Sequence, residues 1–384
     1  LILKRHLAFN IRQGGLKYFA EWHLMLENYW YDIDVEDFKA PTPKLLRYTA
    51  GDAFATWLLY KQFESGFEEN WKHMEFARSI DMDMVLPVAY MLHAGIKIDK
   101  KKLKSKLTTL RKKDKELTIE FETKYKTNPS SPQQVLELLQ KRKHKITSTG
   151  VDILSKLNDD VADKILEYRK TNKLITTYLD KLPNHTDEAD LVHCRLHIAS
   201  TITGRMSSSN PNMQNIPPQI RPIFKSVFDD EGTLVTVDAS QSELRCLAYL
   251  SGSEYLIDAY KAGKDMHTLV AELAGIERKN AKTLNFAYVY GSSEKGLIAQ
   301  LIQAGVKKAQ AKGITHKFMD TMEELGIMEY QSHLLDKAKK MGYTYSVYGR
   351  IGTRLNPTQI VNFPVQSFSA DLNKMRIIYV FNRL

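Results

Sequence analysis

The sequence predicts an α+β fold, with helical lobes gathered around a small sheet, on three observations. Long stretches place apolar residues at helical spacing, most extensively over residues 266–342. Strand-like runs are few and short: "LVHCRLHIAS" (191–200) and "GTLVTVDAS" (232–240). The two kinds of segment do not alternate in the βαβ rhythm of a doubly wound sheet. The 384 residues are long enough for two or three domains, and 43% hydrophobic with 26% charged residues is ordinary for a globular chain.

Residues 1–75 read as mostly helical, rich in Trp and Tyr, with a Pro-punctuated loop at "KAPTPK" (39–44) and a helix starting near Lys44. Gly95 breaks the next pattern. Beyond it Leu103, Leu107, Leu110 and Leu117 mark a long basic helix. "NPSSPQQVLELLQ" (128–140) reads as a turn and a short helix, with Ser131 as cap and Pro132 in the first turn. "TITGRMSSSNPNMQNIPPQIR" (201–221) is an ordered loop or a linker, "GTLVTVDAS" a strand that stops at an acid, and "SQSELRCLAYLSG" a helix ending at Gly252.

The formal net charge of +10 points to a polyanionic partner. Residues 100–145 hold fifteen Lys or Arg against five Asp or Glu, so this segment alone equals the whole excess. Two cysteines without metal-ligand spacing argue against a disulfide framework or a zinc site. No signal peptide is apparent, and no apolar run approaches the roughly 18 residues of a membrane helix. The expectation is an intracellular protein with no membrane association.

Three motifs carry candidate chemistry. In "RKNAKTLNFAYVYG" (278–291), Arg278, Lys282, Phe286 and Tyr290 recur every four residues, so they share one broad helical face. Two cations can grip a polyphosphate, and an aromatic further along gives a sugar or base a flat support. The alternative is a core helix that buries Leu284, Phe286, Val289 and Tyr290 and leaves the cations solvated. In "LVTVDASQSELR", Asp238 at a strand end is placed to hold Mg²⁺ or simply to make a turn. Glu243 has its own structural explanation, since Ser240 and Glu243 spell an S-x-x-E capping box. In "TGRMSSSNPNMQNIPP", Arg205, Asn212, Gln214 and Asn215 supply donors that suit minor-groove acceptors, or else belong to a flexible polar linker. Linkers seldom interleave Met206, Met213 and Ile216 with the amides. Three such motifs in one basic chain are improbable as separate accidents.

These motifs resemble those of the family A DNA polymerases, of the bacterial DNA polymerase I and phage replicase type. "TGRMSSSNPNMQNIP", "VDASQSELR", "RKNAKTLNFAYVYG", "GYTYSVYGR" and "NFPVQSFSAD" follow the family's order. "NPSSPQQVLELL" resembles its thumb, and "YTAGDAFATWLLY" the last motif of its proofreading exonuclease. The resemblance implies a right-hand polymerase: an exonuclease-like tail (1–75), thumb and connections (76–200), first part of the palm (201–265), fingers (266–345) and a return to the palm (346–384).

It further implies template-directed DNA synthesis by two-metal nucleotidyl transfer, with primer–template DNA and deoxynucleoside triphosphates as partners. Two Mg²⁺ ions would be the cofactors, with a processivity factor unseen. By the same resemblance Asp238 and the Ala239 carbonyl bind metal, and Glu243 excludes a ribose 2′-hydroxyl. Arg278, Lys282 and His267 bind the triphosphate, and Lys282 protonates the leaving pyrophosphate. Phe286 and Tyr290 pack on the sugar and nascent pair. Arg205, Gln214, Asn215, Asn362 and Gln366 line the minor groove, and Tyr48 and Asp52 belong to an exonuclease-like site. The cytoplasm of a bacterial or phage-infected cell is the implied location.

Departures from the family pattern are specific. Its second metal-binding acid lies in a His-Asp-Glu turn further along than Leu384, so the expectation is an internal fragment that binds DNA but polymerises poorly alone. Asp371 matches a structural position rather than a metal ligand, Asp32 and Asp37 do not match the earlier exonuclease acids, and Thr358 stands where many relatives have Arg. Two rival readings are a non-catalytic, degenerate polymerase scaffold that binds DNA and a single-subunit RNA polymerase; Glu243 argues against the latter.

Overall fold

Helices carry most of the chain, as the apolar spacing predicts. The computed structural model describes residues 16–25, 43–70 and 75–384, with sixteen α-helices and seven short strands among them. The strands that pair do so in antiparallel sheets, so the class is α+β. By its internal contacts the chain divides into two units. One takes described residues up to Val88 with His197–Ser207 and Ala239–Leu384; the other takes Ala89–Leu196 with Ser208–Asp238.

The first helices are α1 (Leu16–Leu24), α2 (Pro43–Asn70), α3 (Glu75–Asp83) and α4 (Val85–Ala94). α1 lies on α2 where Ala20 meets Ala55, two small residues that let the backbones approach closely. Asp32 and Asp37 lie outside the described residues. α4 stops at Gly95, whose φ of +61° suits glycine; a Cβ there would sit 2.8 Å from the His193 ring.

The second unit is organised along α5 (Lys100–Lys124), which Asp99 caps by accepting from the Lys102 N–H. Near its start Leu103 joins a cluster with Ile98, Leu179 and Ile220. Near its end Phe121 joins another with Val135, Leu139 and Ile165. α6 (Pro132–Lys141) starts as its sequence indicates, with Ser131 accepting from the Gln134 N–H and Pro132 in the first turn. α7 (Val151–Leu154) and α8 (Asp160–Lys173) follow. β1 (Ile96–Ile98) lies between β2 (Leu191–Val192) and β5 (Phe224–Lys225), while β3 (Arg195–His197) and β4 (Ser207–Ser209) form a separate pair. In the three-stranded sheet Lys97 stands directly opposite Lys225, a like-charge pair. Asp229 accepts from both ammonium groups, at 2.9 and 2.7 Å, and those bonds hold its pKa down to about 2.

One strand expectation fails. Residues 232–239 form no strand, and Leu234, Val235 and Val237 are exposed. A β-branched run becomes a strand only when a neighbouring backbone takes its N–H and C=O groups. Among the described residues no strand runs beside this one.

The rest of the first unit is α9 (Ser242–Ser251), α10 (Glu254–Lys261), α11 (Met266–Ala274), α12 (Arg278–Val289), α13 (Glu294–Gln303), α14 (Lys308–Glu324) and α15 (Ile327–Met341). A hairpin of β6 (Tyr343–Tyr345) and β7 (Ile351–Thr353) leads to α16 (Pro357–Phe381). Leu244, Leu269, Leu284, Leu297, Phe318 and Val365 share its main apolar core.

Beside that core lies a buried charge cluster. Arg350, in the hairpin, donates Nη1 to Asp81 Oδ2 (2.9 Å) and Nη2 to Asp81 Oδ1 (3.1 Å). Its Nη2 also reaches Asp371 Oδ1 at 2.6 Å, and Lys374 Nζ binds Asp81. All four residues are at most 4% exposed. Burial works against the charged guanidinium, but the two carboxylates outweigh it and raise the Arg350 pKa. Burial also raises the Asp371 carboxyl and lowers the Lys374 amine. Asp371 is therefore committed to Arg350 inside the fold.

Removing one partner leaves the others buried and uncompensated. Arg350→Met should destabilise this unit by about 3–5 kcal/mol, against a smaller loss for Lys374→Met, since Asp81 then keeps its guanidinium. Urea unfolding of the chain measures both. Equal, small effects would show that the cluster is not the strained point of the core.

Candidate functional site

α12 separates its faces cleanly. Ala281, Leu284, Tyr288 and Val289 are buried in the core. Arg278, Lys282, Phe286 (47% exposed) and Tyr290 (37%) point outward. The core-helix alternative required Phe286 and Tyr290 inside, so the outward stripe removes it. Gly291 ends the helix at φ +76°, with its Cα so near α16 that a Cβ would lie 2.7 Å from the Thr358 carbonyl.

The stripe's two cations differ. Lys282 makes no ion pair among the described residues, whereas Arg278 Nη2 lies 3.1 Å from Asp265 Oδ1. Arg278 Nε also donates to Asp265 Oδ1 (3.2 Å) and Thr268 Oγ1 (3.0 Å). His267 is buried at 4% exposure, and its Nδ1 accepts from Asn285 Nδ2 at 3.1 Å. Its ring lies 5.4 Å from that of Phe286. Burial lowers the His267 pKa; Asp265 opposes this, and Arg278 and Lys282 add to it.

Glu243 is not a cap. The residue before α9 is Gln241, in the left-handed region at φ 54°, with no side-chain capping bond, so the S-x-x-E box does not form. Glu243 instead lies 3.7 Å from Arg205 Nη1. Burial raises the Tyr290 pKa, and the Glu243 carboxylate raises it further. Arg205 follows Gly204 (φ +79°), where a Cβ would strike the Arg350 guanidinium at 2.5 Å. On α16, Asn362 and Gln366 are half-buried one turn apart, and Asn362 Oδ1 is buried with no hydrogen-bond partner among the described residues.

In the other unit the 208–221 loop is ordered. Ile216 is buried and Met213 packs beside it, while Gln214 and Asn215 are exposed. Asp238 is exposed on the 232–239 segment. No group of three His, Cys, Asp or Glu side chains that could hold a metal occurs among the described residues. The Asp238 carboxylate and Ala239 carbonyl therefore do not complete a two-ion site, although one carboxylate suffices for an ion that also binds substrate phosphates. Tyr48 and Asp52 sit one turn apart on α2; burial, then Asp52, raises the Tyr48 pKa.

Three features escaped the sequence reading. Asp265 is one; its only signal was the D-x-x-T cap spelling in "DMHT". A second is a cleft of about 480 Å³ in the second unit, lined by Ser130, Thr149, Arg169, Asn172, Lys173 and Thr176. Arg169 bonds Thr149 Oγ1 there at 3.0 Å. The third is a face of α5: Lys101, Lys104, Lys112 and Lys115 fall on one arc and make no ion pair among the described residues.

The family model for DNA polymerase family A matches residues 97–384. DNA polymerase I of Bacillus subtilis is 31% identical over 354 residues, 81% of this chain and 39% of that protein. The thermostable DNA polymerase I of Thermus aquaticus is 33% identical over 266 residues, 62% of this chain and 31% of that protein. DNA polymerase I of Lactococcus lactis is 35% identical over 287 residues, 65% of this chain and 32% of that protein. The chain thus spans between 31% and 39% of these relatives. Among solved structures, the POL domain of Pol1 from M. smegmatis, in complex with DNA primer–template and dNTP, superposes with a TM-score of 0.82 at 23% identity. That match covers 100% of this chain and 71% of the other, and shows a shared fold.

The depressed His267 pKa has a signed consequence. Below the ordinary value of 6.5 the unfolded chain takes up a proton that the native imidazole resists, so stability falls as pH drops. Between about pH 7 and pH 5 the wild type should lose more thermal stability than His267→Gln, which has no imidazole to titrate. Parallel pH curves for the two would show that the ring is not held neutral.

Proposed function

The chain belongs to DNA polymerase family A, and from that premise we propose that it binds primer–template DNA and a deoxynucleoside triphosphate for template-directed DNA synthesis. The observation that carries this reading is the outward stripe of α12, with two exposed cations followed by two exposed aromatics. Its order matches a nucleotide, which is anionic at one end and flat at the other.

In nucleotidyl transfer the primer 3′-hydroxyl oxygen bonds to the α-phosphorus, the bond to the β-phosphate oxygen breaks, and pyrophosphate leaves. Lys282 and Arg278 hold the phosphate chain, and Lys282, which makes no ion pair among the described residues, can give a proton to the departing oxygen. Phe286 and Tyr290 support the sugar and nascent pair. Glu243, close to Arg205, crowds the space a ribose 2′-hydroxyl would need and selects deoxyribose. His267, packed beside Phe286, would donate to phosphate oxygens.

Arg205, Gln214, Asn215, Asn362 and Gln366 supply minor-groove contacts. The lysine face of α5 and the Arg169–Lys173 cleft suit DNA phosphates. The family depends on metal ions, and we assign Mg²⁺ to Asp238 and the Ala239 carbonyl. In this reading 266–345 are the fingers, 201–265 and 346–384 belong to the palm, 76–200 to the thumb, and Tyr48 and Asp52 to an exonuclease-like tail.

The test is equilibrium binding by the chain itself. Lys282→Ala should weaken deoxynucleoside triphosphate binding roughly tenfold, as expected for loss of a charged hydrogen bond. Glu243→Ala should bring ribo- and deoxyribonucleotide affinities together. Primer–template affinity should fall steeply with salt. Triphosphate binding indifferent to Lys282 would overturn the reading, and a wild-type preference for ribonucleotides would favour an RNA polymerase.

A further inference from the structure

Arg278 is not free in this structure, and its partner is built to hold it. Asp265 caps α11 by accepting from the Thr268 N–H (2.8 Å) and hydroxyl (2.9 Å). Its other oxygen accepts from Gln241 Nε2 at 2.6 Å. Gln241 is fixed in turn, its Oε1 accepting from the Met266 N–H and the Tyr260 hydroxyl at 3.3 Å each. The carboxylate is thus pinned from both sides, and Arg278 Nε and Nη2 close on it. Burial raises its pKa, yet the Thr268 bonds, Arg278 and Gln241 outweigh burial and hold it down to about 2. Near neutral pH it does not release the guanidinium by taking a proton.

The order along α12 gives this contact a meaning. Tyr290 and Phe286 lie at the nucleoside end, Lys282 one turn further, and Arg278 last, in the first helical position. By that order, a nucleotide seated on the aromatics would bring its inner phosphates nearest Lys282, which makes no ion pair among the described residues, and its outermost phosphate nearest Arg278.

Resting on the nucleotide reading above, we propose that Asp265 is a specificity-determining positioning residue: an internal anion that occupies Arg278 until the terminal phosphate of a nucleoside triphosphate displaces it. The exchange weakens triphosphate binding by the strength of the pair it breaks. It leaves ligands too short to reach Arg278 untouched. Asp265 touches no substrate; it acts through Arg278.

Asp265→Asn tests this, because asparagine is itself a good cap and keeps the α11 terminus. Affinities of dATP, dADP and dAMP would be compared for the wild-type chain, Asp265→Asn, Arg278→Ala and the double variant. The expected result is dATP binding tightened about three- to tenfold by Asp265→Asn, in line with a partly exposed, charge-assisted pair, with dAMP unchanged. In the Arg278→Ala background the same substitution should have no effect. Unchanged or weaker dATP binding in Asp265→Asn overturns the proposal, as does an equal gain for all three ligands, which would mark a general change in the cap. If Arg278→Ala binds dATP like the wild type, the triphosphate reading of Arg278 falls instead, and the proposal with it.

Discussion

The buried pair of Arg350 with Asp81 and Asp371 is the constraint on which the first unit depends. Its atoms come from α3, the β6–β7 hairpin and α16, segments far apart in sequence, and the Gly204 backbone lies against the same guanidinium. Two acids and two bases cancel in charge, which permits near-complete burial. Such a cluster stabilises less than a matched apolar core would, because each ion gives up its water. Its directional bonds, however, admit few alternative arrangements. Arg205 follows Gly204 directly, and Asn362 and Gln366 precede Asp371 on α16. The polar side chains of this surface therefore inherit their positions from a charge cluster that none of them touches.

α12 shows how one helix serves two demands. Its core contacts use Ala281, Leu284, Tyr288 and Val289, and exclude the residues four apart that form the stripe. Leaving Phe286 and Tyr290 exposed carries a hydrophobic cost of about 25 cal/mol for each Å² of apolar surface left in water. Packing does not require that exposure, since the helix already has a complete buried face. A flat ligand surface that covers both rings recovers it.

Much of this was legible locally. Ser131 and Pro132 announce α6, leucine spacing announces α5, and the alternation of amides with Met213 and Ile216 announces an ordered loop. The α12 stripe is visible as a four-residue repeat, although only packing shows which face turns inward. What the sequence hid was non-local. Asp81, in "SIDMDM", gives no sign that Arg350 will bind it 269 residues later. The strand expected at 232–240 has the right side chains, but a ladder also needs a neighbour. The capping alternative for Glu243 falls because S-x-x-E spelling says nothing of backbone angles, and Gln241 takes the left-handed conformation that breaks the box.

A wider pattern links the cations of both units. Composition counts every Lys and Arg alike, but internal carboxylates decide which remain available. On α5, Arg111 is matched by Asp180 and Lys113 by Glu167, whereas Lys101, Lys104, Lys112 and Lys115 share a face with no ion pair among the described residues. Lys97 and Lys225 are consumed by Asp229 within their sheet. On α12, Lys282 is open and Arg278 is held, while Arg205 lies at a looser 3.7 Å from Glu243. A net charge of +10 thus resolves into cations committed to the fold, cations held at a ligand-facing edge, and cations left open. The placement of acids, more than the number of bases, therefore decides which cations a polyanionic ligand would meet unpaired.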